Sequence, residues 1–209
     1  MSRCVIVGSM KVDSKIKQYI NDSFVIAADA GVKNLEDLNI KPDLIVGDFD
    51  SLGFAPEGDN VIKYPVKKDD TDMMLAVKEA LKLGYDDIVI FGGCGGRIDH
   101  TLANINTMIF ALKEGAKITM LDSDAEYYIC DTEIVLPFKQ GFNFSIFAVN
   151  GTTKVCIENA MYNGEEITIA NDATLGVSNS FVDKDVKVTV REGIALIVVI
   201  NEWFDFLLW

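Results

Sequence analysis

The sequence has few of the residues that mark several common classes of protein. It contains a single histidine, His100, and its four cysteines (Cys4, Cys94, Cys130 and Cys156) form no Cys-x-x-Cys pair. A zinc site and a disulfide framework are therefore not expected. No apolar run approaches the ~18 residues of a membrane-spanning helix, and the first residues become polar too soon for a signal peptide. We therefore expect a cytoplasmic protein without a membrane span.

Basic residues are also scarce. The chain has 19 Lys and Arg against 32 Asp and Glu, which gives a formal net charge of −13 at pH 7. The acidic excess is present in both halves of the chain, so a surface that binds the backbone of DNA or RNA is not expected. An acidic protein that handles anionic phosphates needs local cations, and this favours a metal ion.

The pattern of the first 125 residues is an alternation of apolar strands and amphipathic helices. Strands are predicted at 4–8, 24–29, 44–46, 61–64, 88–91 and 118–121, and helical segments at 13–21, 32–38, 72–83 and 102–112. Residues 73, 76, 77, 80 and 81 form the clearest apolar stripe with helical spacing. This alternation predicts an α/β domain, residues 1–125, with a mainly parallel, Rossmann-like sheet and helices on both faces.

The pattern changes after residue 125. Strands are predicted at 127–136, 142–149, 154–157, 166–169, 186–190 and 195–200, and no helix is expected. Residues 126–209 are therefore predicted to form an all-β sandwich or barrel. The tail at 203–209 is unusually apolar, which is typical of a final core strand or of a dimer contact.

Aspartates gather where predicted strands end. Asp29 follows the second strand, Gly47-Asp48-Phe49-Asp50-Ser51 follows the third, and Asp69-Asp70-Thr71-Asp72 precedes the 72–83 helix. Ligands of an open parallel sheet bind beyond these carboxyl ends. Two carboxylates ~4 Å apart repel by about 4 kcal/mol at an effective dielectric near 20, so such a group needs a cation, and Mg²⁺ prefers these oxygen ligands.

Some of these aspartates also have simpler explanations. Asp69, Asp70 or Thr71 can cap the following helix, and Asp72 in its first turn is favourable for the helix dipole. For Asp48 and Asp50 we expect an extended segment, in which residues two apart point the same way.

A glycine-rich loop, Gly92-Gly93-Cys94-Gly95-Gly96-Arg97, lies between a predicted strand and a predicted helix. It matches neither the P-loop nor the G-x-G-x-x-G pattern. Its bare backbone N–H groups, the start of the following helix and Arg97 are nevertheless suited to a phosphate group. The alternative is a tight strand–helix turn, in which Cys94 is a small spacer.

Four segments, in this order, resemble the thiamine pyrophosphokinase family. They are Ala28-Asp29-Ala30-Gly31, Gly47-Asp48-Phe49-Asp50-Ser51, Asp70-Thr71-Asp72 and Gly92-Gly93-Cys94-Gly95-Gly96-Arg97-Ile98-Asp99-His100. The resemblance implies an enzyme, thiamine diphosphokinase, in which an α/β catalytic domain precedes a β domain. Its implied reaction is the Mg²⁺-dependent transfer of pyrophosphate from ATP to the hydroxyl of thiamine, which gives thiamine diphosphate and AMP.

The resemblance also implies roles for individual residues. Asp48, Asp50 and Asp72 would hold Mg²⁺ and, with Arg97, form the catalytic set. ATP and its phosphates would be bound by Asp29, Gly31, Ser51, Asp70, Thr71, Gly92, Gly93, Gly95, Gly96 and Arg97. Asp99 would contact thiamine.

The β domain matches the family less closely, because the glycine of the family's Gly-Leu-x-aromatic segment is absent from Asn159-Ala160-Met161-Tyr162. The resemblance implies that Tyr162, Ser178 and Asn179 bind thiamine, in a homodimer whose site lies between subunits. A tyrosine face suits a thiazolium cation, but Tyr162 in the core or in a cross-strand pair is the alternative.

Two other functions remain compatible with the sequence. One is a Mg²⁺-dependent phosphotransferase or pyrophosphotransferase that acts on another small alcohol. The other is a nucleotide-sensing module without catalytic activity.

Overall fold

The computed structural model describes residues 3–50, 56, 58–149 and 151–201. The chain divides into two compact units, Met1–Ser123 and Asp124–Trp209. Two of the features singled out in the sequence, Ser51 as a phosphate ligand and the apolar tail at 203–209, lie outside the described residues.

The first unit is built on a parallel sheet. Its strands are β1 (Arg3–Val7), β2 (Phe24–Ala28), β3 (Leu44–Gly47), β4 (Val61–Lys63), β5 (Asp87–Phe91) and β6 (Lys117–Leu121). They lie in the order β6-β5-β1-β2-β3-β4, and each neighbouring pair is parallel. The carboxyl ends of all six strands therefore meet at one edge of the sheet.

Helices cover both faces of this sheet. They are a 3-10 turn (Ser14–Ile16), α1 (Lys17–Ile20), α2 (Gly31–Asp37), α3 (Asp72–Lys82) and α4 (Ile98–Lys113). Val32 and Leu35 of α2 share a core with Val5 and Val25. Helix α3 packs on β1, β2, β3 and α4, and its buried side chains lie outside that core. The predicted mixed α/β fold is confirmed.

Local sequence explains where α3 begins and ends. Thr71 is its N-cap, and the Thr71 Oγ1 accepts a hydrogen bond of 3.2 Å from the Met74 N–H. The helix ends at its C-cap, Leu83, and Gly84 follows with φ +88°. Thr71, rather than Asp69 or Asp70, therefore has the capping role.

The second unit consists of antiparallel strands. They are β7 (Ala125–Cys130), β8 (Glu133–Leu136), β9 (Phe142–Ala148), β10 (Thr152–Glu158), β11 (Gly164–Ala170), β12 (Asn179–Ser180), β13 (Val186–Glu192) and β14 (Ala195–Asn201). One sheet has the order β12-β9-β14-β7 and the other β11-β10-β13-β8. Phe144 and Ile197 of the first sheet share a core with Val155 and Val188 of the second.

Two details of this unit differ from the sequence prediction. The predicted strand at 127–136 is interrupted by a bend at Asp131 and Thr132, and its halves, β7 and β8, belong to different sheets. The short strand β12 was not predicted, because two polar residues carry no periodicity. In the described part of the chain, no helix is long and apolar enough to cross a membrane.

Candidate active site

Three aspartates form an acidic cluster at the carboxyl edge of the first unit's sheet. Oxygen atoms of Asp29, Asp48 and Asp50 all lie within 4.8 Å of one another. Asp29 directly follows β2 and Asp48 directly follows β3, and these neighbouring strands are parallel. Pairing of β2 with β3 therefore brings the carboxylates together. We call these three residues the acidic cluster.

Asp48 and Asp50 meet through a turn and not through an extended segment. Phe49, between them, has φ +64° and is only 3% exposed, in the core below the sheet edge. The Asp50 N–H donates a hydrogen bond of 3.1 Å to Asp48 Oδ1. The expectation of an extended backbone was wrong, because burial of Phe49 and this hydrogen bond favour a tight turn.

Lys68 links the acidic cluster to Asp72, the first residue of α3. Its Nζ lies 2.8 Å from Asp48 Oδ2 and 2.5 Å from Asp72 Oδ1. The Lys68 side chain is 13% exposed, so both ion pairs are largely shielded from water. Sequence reasoning had missed Lys68. The signal was present in its spacing, four residues before Asp72, but the lysine belongs to a charged stretch that is typical of a solvated loop.

The pKa values of the two carboxylates that contact Lys68 shift in opposite directions. The bond from Lys68, followed by a backbone donor at Asp50, lowers the pKa of Asp48 despite some burial. Burial, together with the nearby charges of Asp48 and Asp29, raises the pKa of Asp72 although Lys68 opposes the shift. Burial alone would lower the pKa of Lys68, but its two carboxylate partners outweigh it and raise the pKa.

The other predicted residues near α3 have identifiable partners or positions. Asp70 forms a salt bridge of 2.6 Å with Lys78. Asp69 is exposed. Gly31, predicted to bind phosphate, is the buried first residue of α2, and a Cβ on it would lie 1.9 Å from the Val7 carbonyl oxygen. Close packing of α2 against the end of β1 therefore explains Gly31.

The glycine-rich loop follows β5 and leads into α4. Gly92 has φ +64°, and a Cβ there would lie 2.5 Å from the Met10 carbonyl oxygen and 2.9 Å from that of Gly8. The buried Asn104 side chain donates a hydrogen bond of 2.6 Å to the Gly93 carbonyl. The Cys94 Sγ lies 3.0 Å from Asp122 Oδ2. These contacts fix the course of the loop.

The loop and two of the aspartates line one cavity of about 320 Å³. Of the predicted residues, those that line it are Asp29, Thr71, Asp72, Gly92, Gly93, Gly96 and Arg97. Asp48 and Asp50 do not line the cavity, but their carboxylate oxygens lie within 4.8 Å of Asp29, which does. The structure thus brings the glycine-rich loop together with Asp29 and Asp72, which precede it by 63 and 20 residues in sequence.

Sequence reasoning missed a second loop that lines the same cavity. Gly8, Ser9 and Met10 follow β1, and Asn34 of α2 donates hydrogen bonds of 2.9 and 2.7 Å to the carbonyls of Gly8 and Met10. The signal was their place at the carboxyl end of β1, beside β5. Asn104, which also lines the cavity, gave no signal in sequence because it lies within a regular helix.

Arg97 and Asp99 form an exposed ion pair beside the cavity. Arg97 Nη2 lies 2.5 Å from Asp99 Oδ2, and Arg97 Nε donates to Asp99 Oδ1 at 3.1 Å. Hydrogen bonding to Asp99 raises the pKa of Arg97, and the same bond lowers the pKa of Asp99. The backbone N–H of His100 also donates to Asp99, at 3.0 Å. Two residues predicted to contact different ligands are therefore partners in this structure.

In the second unit, Tyr162 lies at the surface and not in the core, since it is 67% exposed. The buried Asn179 side chain accepts a hydrogen bond of 3.0 Å from the Tyr162 N–H and donates one of 2.8 Å to its carbonyl. Ser178, with φ +61°, is held by a bond of 3.1 Å from its N–H to Ser145 Oγ. The structure therefore places Tyr162, Ser178 and Asn179 together.

Residues 16–120 match the family model described as thiamin pyrophosphokinase, catalytic domain. The matched segment contains the acidic cluster, Lys68 and the glycine-rich loop, and it ends before Tyr162.

Similar proteins agree with this match. A curated thiamine pyrophosphokinase of Bacillus subtilis is 38% identical over 104 residues, which cover 46% of this chain and 48% of that protein. Thiamin pyrophosphokinase 1 of Caenorhabditis elegans is 28% identical over 123 residues, which cover 55% and 47%. By sequence, the chain spans about half the length of these curated relatives.

The fold is also similar to that of solved structures. The crystal structure of thiamine pyrophosphokinase from Bacillus subtilis superposes with a TM-score of 0.84 at 23% identity. The superposition covers 96% of this chain and 100% of that one. At this level of identity the likeness concerns the fold alone.

Proposed function

The chain belongs to the thiamin pyrophosphokinase family, and on this basis we propose that it is a thiamine diphosphokinase. It transfers the pyrophosphoryl group of ATP to the hydroxyl of thiamine and releases AMP. The observation that carries this proposal is that Asp29 of the acidic cluster lines one cavity together with Asp72 and the glycine-rich loop. The activity and the substrates rest on the family and on this geometry together.

The cavity has the properties of a nucleotide phosphate site. Its volume of about 320 Å³ lies in the range of small-molecule pockets, roughly 300–1,000 Å³. The loop from Gly92 to Gly96 presents backbone to the cavity, and α4, sixteen residues long, begins immediately after Arg97. Backbone N–H groups and a helix N-terminus favour a bound anion. We therefore place the polyphosphate of ATP along this loop.

The acidic cluster fits Mg²⁺. Asp29, Asp48 and Asp50 offer only carboxylate oxygens, within 4.8 Å of one another, and Mg²⁺ binds through one or two carboxylates plus substrate phosphates and waters. We propose Asp48 and Asp50 as ligands, with Asp29 beside them, and Asp72 as a ligand once it is released from Lys68. When bound, the ion would neutralise charge on the transferred group and orient it.

The chain's own residues act mainly by positioning and charge. Arg97 is proposed to donate to phosphate oxygens, and Asp99 to accept a hydrogen bond from thiamine. Because these two side chains are paired with each other, each has to share or exchange its partner when the substrates bind. Asn104 and Asn34 hold the two loops that border the phosphates. Such preorganisation is the main source of catalysis in phosphoryl transfer.

Thiamine binding is proposed for the surface formed by Tyr162, Ser178 and Asn179. The exposure of Tyr162 supports this role, since an exposed aromatic face is available to stack on the thiazolium cation. We further propose a homodimer in which this surface of one subunit faces the acidic cluster of the other. Residues 1–125 would then be the catalytic domain, and residues 126–209 the thiamine-binding and dimerisation domain.

Two finer expectations are also proposals. In the strand order β6-β5-β1-β2-β3-β4, successive strands are added on one side of β1 as far as β4 and then on its other side. This change of direction supports a Rossmann-like description of the first unit. A cytoplasmic location is proposed from the sequence, and fractionation of cells that express the protein would test it.

Product analysis tests the proposed function. The protein is incubated with ATP, Mg²⁺ and thiamine, and nucleotides and thiamine esters are separated. We expect AMP and thiamine diphosphate in equal amounts, and no AMP when thiamine or Mg²⁺ is left out. Release of ADP would contradict pyrophosphoryl transfer. Turnover only with another alcohol would indicate a different phosphotransferase, and nucleotide binding without turnover would indicate a sensing module.

A further inference from the structure

We propose that Lys68 is an internal counter-ion of the acidic site. It holds Asp48 and Asp72 together in the metal-free protein, and it leaves at least one of them when a divalent cation binds. This inference rests on the proposed function, since it assigns a role within the same site, and it goes beyond it by giving Lys68 a role in controlling metal affinity.

The geometry of Lys68 carries the inference. One ammonium group lies 2.8 Å from Asp48 and 2.5 Å from Asp72, and it therefore joins the loop after β3 to the start of α3. The side chains of Lys68 and Asp48 are 13% and 9% exposed, so water screens this pair only weakly. Asp48 also belongs to the acidic cluster. Lys68 therefore occupies carboxylate oxygens that a divalent cation would use.

The chemistry of lysine suits a counter-ion that can be displaced. Converging carboxylates repel one another, so the site needs positive charge even when no metal ion is bound. A lysine ammonium is a point charge on a flexible four-carbon stem, whereas an arginine would bind carboxylates through a rigid two-pronged group. Lys68 can therefore move without a change in the backbone. A lysine side chain is ordinarily charged at neutral pH.

The proposed competition predicts the direction in which Mg²⁺ affinity changes when the charge of Lys68 is removed. If Lys68 and Mg²⁺ compete for Asp48 and Asp72, removal of the lysine charge strengthens binding of Mg²⁺ to the protein without nucleotide. If Lys68 only holds the two carboxylates in place, its removal disperses them and weakens binding of Mg²⁺. The two roles thus predict changes of opposite direction.

The experiment is titration calorimetry of the full chain with MgCl₂ in the absence of nucleotide. Lys68→Met keeps most of the side-chain length and removes the charge. We expect Mg²⁺ to bind about tenfold more tightly to Lys68→Met than to the wild type. Mg²⁺ should also raise the thermal unfolding midpoint of the variant by more than it raises that of the wild type. The matched control is Lys82→Met, which removes the charge of the last lysine of α3, paired with Glu79 at 3.2 Å. This control should bind Mg²⁺ like the wild type.

Unchanged or weaker Mg²⁺ binding by folded Lys68→Met would overturn the inference. Circular dichroism establishes that the variant is folded. Should it not fold, Lys68→Gln is measured in its place with the same expectation. The proposed function is tested separately, by release of AMP from the wild type. Normal AMP release together with unchanged Mg²⁺ affinity in the variant would refute the role of Lys68 alone.

Discussion

Replacement of Gly92 by alanine should destabilise the first unit more than the same change at any glycine with open space around it. Gly92 has φ +64°, and an added Cβ would lie 2.5 Å from the Met10 carbonyl oxygen and 2.9 Å from that of Gly8. These are backbone atoms, so the conflict can be relieved only by moving one of the two loops that line the cavity. Gly84 is the matched control, because its φ is +88° and an added Cβ would meet nothing within 4 Å.

The magnitude follows from two separate costs. Left-handed backbone costs alanine about 1–2 kcal/mol, and the stiffer unfolded chain offsets about 0.4–1 kcal/mol of it. Gly84→Ala should therefore lower the free energy of unfolding by about 1 kcal/mol. At Gly92 the clash adds roughly 1–3 kcal/mol, as in an overpacked core, so the total loss should be about 2–4 kcal/mol.

Urea unfolding of the full chain measures both variants. Activity gives a second readout, since a displacement of about 1 Å at a positioned group can reduce the rate by about 100-fold. We expect that loss for Gly92→Ala and close to wild-type activity for Gly84→Ala. Equal destabilisation of the two variants, with activity retained in both, would refute the close approach of the loops and the place of the phosphates along them.

Three further predictions concern other parts of the molecule. Asp48→Asn should reduce kcat/KM by at least about 100-fold at fixed Mg²⁺. The control Asp69→Asn, at an exposed position, should leave kcat/KM unchanged. Similar kcat/KM values for both variants would contradict the place of Asp48 in the site. Mixing inactive Asp48→Asn with inactive Tyr162→Ala should restore about a quarter of wild-type activity. Half of the randomly assorted two-fold dimers are mixed, and each mixed dimer contains one intact site of two. No recovery of activity would contradict a site shared between subunits. Burial, together with the charge of Asp43, raises the pKa of Cys4 from 9.0 to about 12. The preference of the folded protein for the neutral thiol therefore contributes stability that is fully present below pH 9 and is lost between about pH 9 and 12. Between pH 8 and 11, the free energy of unfolding of Cys4→Ala should therefore fall by about 3 kcal/mol less than that of the wild type. Urea unfolding at the two pH values measures this difference, and equal losses would contradict the raised pKa of Cys4.

Much of the fold follows from periodicity. A parallel sheet covered by helices is indicated by two patterns in the sequence. These are the stripe of apolar residues in α3 and the short apolar runs of β1, β2 and β5. The bend at Asp131 and Thr132 was not predictable in the same way. The residues on both sides are suited to strands, and only long-range pairing of β7 and β8 with different strands separates them.

The candidate site was predictable where it depends on strand ends. Asp29, Asp48 and Asp50 lie together because β2 and β3 are adjacent, which local sequence supports. The contact of Lys68 with Asp48 depends on the path of the chain between β4 and α3, and no periodic signal describes that path. The turn at Phe49 depends on a hydrophobic contact with the core of the sheet, which sequence alone does not reveal.

We propose that the site transfers a whole pyrophosphoryl group from ATP to thiamine. The most direct measurement uses ATP with a radioactive β-phosphate, in a single incubation with Mg²⁺, thiamine and the full chain. We expect the label to appear in thiamine diphosphate, in an amount equal to that of AMP. Label retained in ADP, with only the unlabelled γ-phosphate transferred to thiamine, would contradict it.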